Sequence, residues 1–375
     1  MALHLSYGGS AAHRTLACPG NHKESEGIPR RPASSAAIDG SMHHEVMEKC
    51  QKEGLAPADL IGLIYKEDGQ SREFSEDDLP ISELAYTPTN KLLEEYDIDE
   101  FMVEPFLQLV PGIAGGWIDL LGLSADRKTI LQLDYKFGAH KVPVEKNSQC
   151  AHYCISSRAD PKSRDMWKDV ERIIFCIVQP RVLGVSFTWE TDTKFLDAFE
   201  EKYLAAMKST KLATGPHCRY CAAEPYCELK RSLAMASNLL SLREQEDIQA
   251  AADVVEEIQS WVSSVKEEMY WHLSRGVPIS GWKVVNKKAH RKWVDAAATD
   301  RALSKLAKKD KYKTELLSPA QMEKVLKKKK INFDVSKYTT TKSSGTTLAI
   351  ETDPRDAVIA SDVQGHLADI AEKGA

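Results

Sequence analysis

The sequence predicts an α/β fold: a mixed central sheet flanked by helices, followed by a helical and α+β C-terminal extension. Three observations carry this. Two apolar runs, residues 117–123 and 129–135, flank a polar turn at 124–128, the pattern of a β-hairpin. Around that hairpin, helix-type and strand-type segments alternate, which predicts helices packed on a mixed sheet. Further on, Ile248, Ala251, Val255, Ile258, Val262, Val265 and Met269 recur at spacings of three and four, one apolar stripe on a long helix.

In chain order, residues 6–17 read as a helix stopped by Cys18-Pro19-Gly20. The polar stretch 21–38 reads as loop, and a second helix begins near Ala36 and carries Gly40 to Glu48. The acidic stretch 67–78 reads as surface loop. A helix over 82–96 precedes an extended run over 101–110 that contains Glu104. After the hairpin, a helix over 145–158 puts Gln149 and Tyr153 on one face, because residues i and i+4 are neighbours there. Strands over 172–179 and 184–190, a helix over 192–209 and a Cys-rich loop at 217–227 complete a first domain, residues 1–230. The long helix takes 240–276, with Ser241 and Glu244 as a capping box and Gly276 and Pro278 as its stop. A small basic module follows over 280–355, with a helix beginning after Ser318. Residues 356–375 read as a tail.

With 42% hydrophobic and 28% charged residues, the 375-residue chain has the composition of a soluble protein of two or three domains. No apolar run approaches a membrane span, and Met1 to His13 has neither the basic nor the apolar region of a signal peptide. The expected location is the cytoplasm, so the eight cysteines point to metal ligands or buried thiols rather than disulfides. The net charge of −5 conceals a basic stretch, residues 283–342, with 18 Lys+Arg against 6 Asp+Glu. That stretch is a candidate nucleic-acid footprint or a solvated helical face. Trp282, Trp293 and Tyr312 lie among Lys287, Lys288, Arg291 and Lys292. The aromatics are expected in the module's core, and the four basic residues are candidate DNA contacts. The long helix's stripe is expected to pack on the first domain, with self-association as the alternative.

The chemistry concentrates around the hairpin. Each apolar run is broken by one carboxylate, Asp119 and Asp134, and Lys136 follows Asp134 by two, on the same strand face. Two carboxylates converging with a lysine suit a divalent ion and a polarised water. Alone, Asp-x-Lys is also an ordinary strand-edge salt bridge. Here it belongs to an ordered set: Gly40-x-x-x-His44 on a helix, Gly116-x-x-Asp119, Asp134-Tyr135-Lys136, then Gln149-x-x-x-Tyr153 on the next helix. Over residues 1–230 this set resembles the RecB-like branch of the PD-(D/E)XK nucleases. The resemblance implies a restriction-endonuclease-like core. It also implies His44, Asp119, Asp134 and the Tyr135 backbone carbonyl as metal ligands, with Glu104 a further acidic candidate. Lys136 would orient water and offset charge on the phosphate, while Gln149 and Tyr153 would hold substrate or support the site. His43 also precedes the strands, but the Gly-x-x-x-His spacing selects His44, and His43 should point about 100° away round the helix.

Cys218-x-x-Cys221-x5-Cys227 is by itself half of a zinc site, completed by His217 or a distant ligand. With Cys18 at the other end of the domain, the set resembles the iron–sulfur nuclease domains of AddB and of CRISPR-adaptation exonucleases. That resemblance implies a structural [4Fe–4S] cluster, with Zn²⁺ the alternative. Cys50, Cys150, Cys154 and Cys176 sit in apolar segments and read as buried thiols. The overall layout resembles phage and prophage RecB-like proteins with a C-terminal extension. It implies a Mg²⁺- or Mn²⁺-dependent DNA exonuclease, acting on linear ends or single strands in phage recombination, replication or DNA processing. Phage recombination proteins are expected as partners, and no membrane. The alternatives are a non-catalytic DNA-binding recombination component and a zinc-binding interaction protein.

Overall fold

The computed structural model describes residues 5–29, 31–182, 185–236, 245–287, 292–311, 316–340 and 346–358. It divides into two compact units, Met1–Ser260 and Trp261–Ala375.

The first unit begins with β1 (Tyr7–Gly8), α1 (Ala12–Ala17), α2 (Asn21–Glu24) and the long α3 (Ser35–Glu53). Ser34 caps α3 by accepting from the Ala37 N–H at 3.2 Å, and Gly54 ends it at φ 69°. Then come β2 (Ile64–Glu67), β3 (Gln70–Glu73), α4 (Leu79–Glu95), β4 (Ile98–Val103), β5 (Phe106–Val110), β6 (Ala114–Trp117), β7 (Leu120–Ser124) and β8 (Thr129–Tyr135). After these follow α5 (Ser148–Ala159), β9 (Arg172–Val178), β10 (Ser186–Thr191), α6 (Thr193–Met207), α7 (Glu228–Ala236) and α8 (Gln245–Ser274), which runs on into the second unit.

The central sheet has the order β10-β9-β8-β7-β4. Only β8 and β9 are parallel, with Asp134 opposite Ile177, so the sheet is mixed as expected. Both faces are covered. Ile130, Ile173, Phe175 and Ile177 pack with residues of α5 and α6, whereas Leu131, Leu133, Ile174 and Val178 pack with Met47 of α3 and Ala85 and Leu92 of α4. Burial on both faces is why β8 and β9 are nearly continuous apolar runs rather than alternating ones. The two-residue period puts Asp134 and Lys136 on the α5 face and Tyr135 on the α4 face.

Gln132 lies on the α5 face, two residues before Asp134. It is fully buried, and among the described residues its side-chain amide has no hydrogen-bond partner. An unpaired buried amide costs about 1–3 kcal/mol. Gln132→Leu, of similar volume, is therefore expected to raise the urea midpoint by the equivalent of about 1 kcal/mol or more. An unchanged or lower midpoint would show that the amide is satisfied.

Several boundaries differ from the sequence reading. Part of 67–78, expected as loop, is the second strand of the β2–β3 hairpin. Its turn is Asp68-Gly69 at φ 49° and 74°, the geometry that favours a two-residue hairpin. The start of the helix expected over 6–17 is instead the strand β1, paired in parallel with β6. The run over 101–110 is two strands in two sheets: β4 pairs with β7, and β5 with β6 in the order β1-β6-β5. The strand expected over 117–123 is likewise broken, so Asp119 lies between β6 and β7. These breaks come from tertiary pairing that local hydrophobicity does not encode.

In the second unit, β11 (Trp282–Asn286), β12 (Lys292–Trp293), α9 (Ala296–Ala302), α10 (Lys308–Lys311), α11 (Pro319–Lys328), β13 (Thr339–Thr340) and β14 (Thr346–Ile350) follow the end of α8. Leu303, Leu306, Met322, Leu326 and Val335 form its core, with Trp293 packed against them and its Nε1 donating to the Leu317 carbonyl at 2.9 Å. Trp293 is therefore a core residue, as expected. Ser318 and Gln321 form the capping box of α11. The box expected at Ser241 and Glu244 lies outside the described residues, as do Lys288, Arg291 and Tyr312. Three positions of the α8 stripe are open rather than packed: Ile248, Val255 and Val262 are all exposed.

Candidate active site

Three backbone devices assemble the site. On α3, the helical period turns His44 towards Asp119, with Nδ1 3.3 Å from Oδ1. His43 faces elsewhere: it is fully buried, stacked on Phe137, with Nδ1 2.9 Å from Ser82 Oγ. The break between β4 and β5 puts Glu104 in the left-handed region at φ 48°, its N–H donating to the Asp119 carbonyl at 3.1 Å. A non-glycine residue there costs about 1–3 kcal/mol, strain characteristic of functional positions. On β8, the Tyr135 N–H donates to Asp119 Oδ2 at 2.5 Å. In a strand a residue's N–H and C=O project to the same side, so the Tyr135 carbonyl also faces Asp119. The Tyr135 ring lies on the other face, its hydroxyl 3.1 Å from Thr89 Oγ1.

Ligand atoms of His44, Glu104 and Asp119 all lie within 4.8 Å of one another. Asp134 does not join that trio. It pairs with the Lys136 ammonium and accepts from Gln149 Nε2 at 2.9 Å. Gln149 Nε2 also donates to the Tyr153 hydroxyl at 3.0 Å, so the i, i+4 pair on α5 acts as one support beneath Asp134. Glycines make room for this support. A Cβ at Gly9 would lie 2.3 Å from Tyr153 Cε1, and one at Gly116 would lie 3.3 Å from it. Gly40 has no such role, since a Cβ there would meet nothing within 4 Å.

The electrostatics are those of crowded buried carboxylates. Burial, then the Asp119 charge, push Glu104 up to about 8. Burial raises Asp134, opposed by Lys136 and reinforced by Asp119. Burial works against ionised Asp119 too, but His44, Lys136 and the Tyr135 N–H outweigh it and hold its carboxyl below the usual range. Burial works against charge on His44 and Lys136, yet the neighbouring carboxylates keep both above their ordinary values. These residues line an open cleft of about 880 Å³, whose walls also carry Trp117 and Lys52.

The cysteines of the motif also meet. Cys18, Cys218, Cys221 and Cys227 line one cavity. Among the described residues, no three of their sulfurs come within 4.8 Å of one another. Burial raises the Cys18 and Cys218 thiols, the latter to about 11, and the Ala213 N–H donates to Cys18 Sγ at 3.4 Å. Around the cavity, Arg14 donates to the Tyr220 carbonyl, and the Gly20 N–H to the Lys211 carbonyl at 2.9 Å. The two ends of the first 230 residues are thus in contact. Cys50, Cys150, Cys154 and Cys176 are buried, as expected.

Two features had no motif to announce them. Lys230 is 1% exposed beside the cysteine cavity, ion-paired with Glu257 and, at 3.5 Å, with Glu224. Asp39, His43 and Asp78 form a second close trio, but Arg72 bridges Asp39 and Asp78 and Arg181 pairs with Asp39 at 2.6 Å. Two guanidiniums already neutralise its two carboxylates, so it is a structural ion network. Of the candidate DNA contacts, Lys287 is exposed at the end of β11, and Lys292 lies in β12.

A family model described as "Protein of unknown function (DUF2800)" matches residues 4–356. The chain belongs to the DUF2800 family. The DUF2800 match takes in every residue of the cleft and of the cysteine cavity, and most of the second unit. A solved structure described as "Crystal structure of SSO0001" is similar at 12% identity over 58% of this chain and 94% of its own, with a TM-score of 0.23. A likeness at that level carries no argument about the DUF2800 chain. No helix among the described residues is long and apolar enough to cross a membrane.

Proposed function

We propose that this chain is a Mg²⁺- or Mn²⁺-dependent deoxyribonuclease of the RecB-like PD-(D/E)XK type, an exonuclease acting on linear ends or single strands of DNA. The observation that carries the reading is the convergence of His44, Glu104 and Asp119 within 4.8 Å, beside the Lys136–Asp134–Gln149 chain, in an open cleft. Carboxylate oxygens with one imidazole suit a hard divalent ion, and the imidazole favours Mn²⁺ over Mg²⁺. The cleft carries six carboxylates against three lysines, which repels a polyanion unless cations enter with it.

His44, Glu104 and Asp119 would hold the ion, with Asp134 and the Tyr135 carbonyl adjacent. Bound there, it would neutralise charge on a phosphodiester and make a water more acidic. The protein's own groups do the rest. Lys136 Nζ donates to the phosphate or the attacking water and offsets charge as the phosphorus becomes five-coordinate. Gln149 and Tyr153 fix Asp134, which in turn holds Lys136. Hydrolysis joins the water oxygen to phosphorus, breaks one P–O bond and passes the proton to the leaving oxygen.

The cysteine cavity supports a structural [4Fe–4S] cluster as our assignment. Tetrahedral Zn²⁺, with bonds of about 2.3 Å, would draw thiolates to about 4 Å from one another. Four thiolates equally suit a [4Fe–4S] core, and the likeness of the cysteine motif favours that over Zn²⁺, which stays the alternative. A phage DNA-processing setting in the host cytoplasm, with phage recombination proteins as partners, rests on the likeness of layout alone.

Metal removal tests the site. EDTA is expected to abolish DNA hydrolysis, and added Mn²⁺ or Mg²⁺ to restore it. His44→Ala should weaken Mn²⁺ binding, followed by titration calorimetry, roughly tenfold or more, and Mg²⁺ binding less, because the lost nitrogen matters more to Mn²⁺. Equal losses for the two ions would remove His44 from the ligand set.

A further inference from the structure

We propose that Trp117 is a base-stacking subsite for the nucleotide next to the scissile phosphate. This rests on the nuclease reading and adds to it the group that recognises a nucleobase. Trp117 ends β6 and is 45% exposed, although it is the largest side chain on that strand. Trp117 is part of the wall of the cleft that contains Asp119 and Lys136. Cross-strand Phe106 braces it, with ring centroids 5.2 Å apart and planes tilted by 48°. The ring is therefore braced on one side and open to solvent.

Its place in the chain sets its reach. Ile118 is fully buried, and Trp117 and Asp119 on either side of it line the cleft. Two residues span at most about 7 Å. That is the spacing of the two backbones, so a base on the indole belongs to a nucleotide close to the one at the Asp119 carboxylate. Gly115 and Gly116 precede the indole, so no side chain crowds its approach along β6. Gly115 is held to glycine by φ 153° and by the Leu107 carbonyl, which a Cβ would meet at 2.3 Å.

The cleft offers few free cations to grip a strand in other ways. Lys52 is paired with Glu48 at 2.6 Å, and Lys49 lies 4.0 Å from Glu53. Stacking needs no charge and tolerates sequence, because every base has a π-face. A nucleotide that has lost its base would forfeit it.

The test uses two end-labelled single-stranded oligonucleotides, identical except that one carries a single abasic nucleotide at its centre. With Mn²⁺, the wild-type protein should degrade the intact strand steadily and slow about tenfold at the abasic position. Trp117→Ala should raise KM for the intact strand about tenfold and abolish the pause, while Trp117→Phe keeps it. A wild type that passes the abasic position without slowing overturns the proposal, as does an unchanged KM in Trp117→Ala. Failure to cut either strand would overturn the nuclease reading instead. In that event binding in Ca²⁺ still reads the stack: wild type should bind the intact strand more tightly than the abasic one, and equal binding overturns the subsite.

Discussion

Lys136→Ala is expected to lower kcat for DNA hydrolysis by roughly 10²–10³-fold, the usual effect of removing one preorganised electrostatic donor. The variant loses two things. The ammonium proposed to face the phosphate goes, and Asp134, whose carboxyl burial already raises, loses the neighbouring charge that opposes that rise. Burial then favours the protonated carboxyl, which binds a cation poorly. KM should change little, because the contact matters most as charge develops. Lys136→Arg keeps the charge but not the shape of the ammonium and is expected to recover only part of the rate. Circular dichroism and thermal melting of both variants separate a lost reaction from a lost fold. Full activity in Lys136→Ala would remove this residue from the mechanism.

The second large effect concerns the cysteines. Protein purified without oxygen is expected to absorb broadly near about 400 nm and to contain iron. Cys218→Ser or Cys227→Ser should bleach that band and lower Tm by about 10 °C or more, because metal–ligand free energy becomes folding free energy. The reason lies in where the four residues sit. Cys18 follows α1, and the other three belong to the segment after α6, about 200 residues later in the chain. A bond network across that gap closes a long loop, which is where cross-links constrain the unfolded chain most. Zinc without iron in such a preparation would contradict the cluster and restore the zinc reading.

Much of the site was legible from local periodicity. The two-residue period of a strand put Asp134 and Lys136 together, and the helical period put Gln149 beside Tyr153; both pairs are in contact. His44 faces Asp119 and His43 is buried elsewhere, the separation that the turn of the helix imposes; the choice of His44 came from the Gly-x-x-x-His spacing. What local periodicity left illegible depends on long-range pairing, and Glu104 was an acidic candidate only through the family resemblance. Glu104 enters the trio because the chain changes sheets at Glu104-Pro105, and its N–H is then held by the carbonyl of Asp119. Nothing local distinguishes that from one continuous strand, although Pro105 marks a place where a ladder hydrogen bond is missing. The Asp68-Gly69 turn, by contrast, was a readable hairpin signal masked by the acidity around it. Trp117 was read as part of the apolar hairpin, since a sequence does not distinguish an aromatic facing a core from one facing a cleft. In the second unit the same ambiguity resolves the other way for Trp293, which packs in the core.

The most direct measurement of the central claim is digestion of end-labelled linear DNA in Mn²⁺ by wild type beside Asp119→Asn. That substitution keeps the size of a side chain in contact with His44 and the Tyr135 N–H but removes its charge. Wild type should release short labelled products in Mn²⁺ and none in EDTA, and Asp119→Asn should release almost none in either. Equal digestion by the two proteins, or intact DNA with wild type under every divalent ion, would contradict the account.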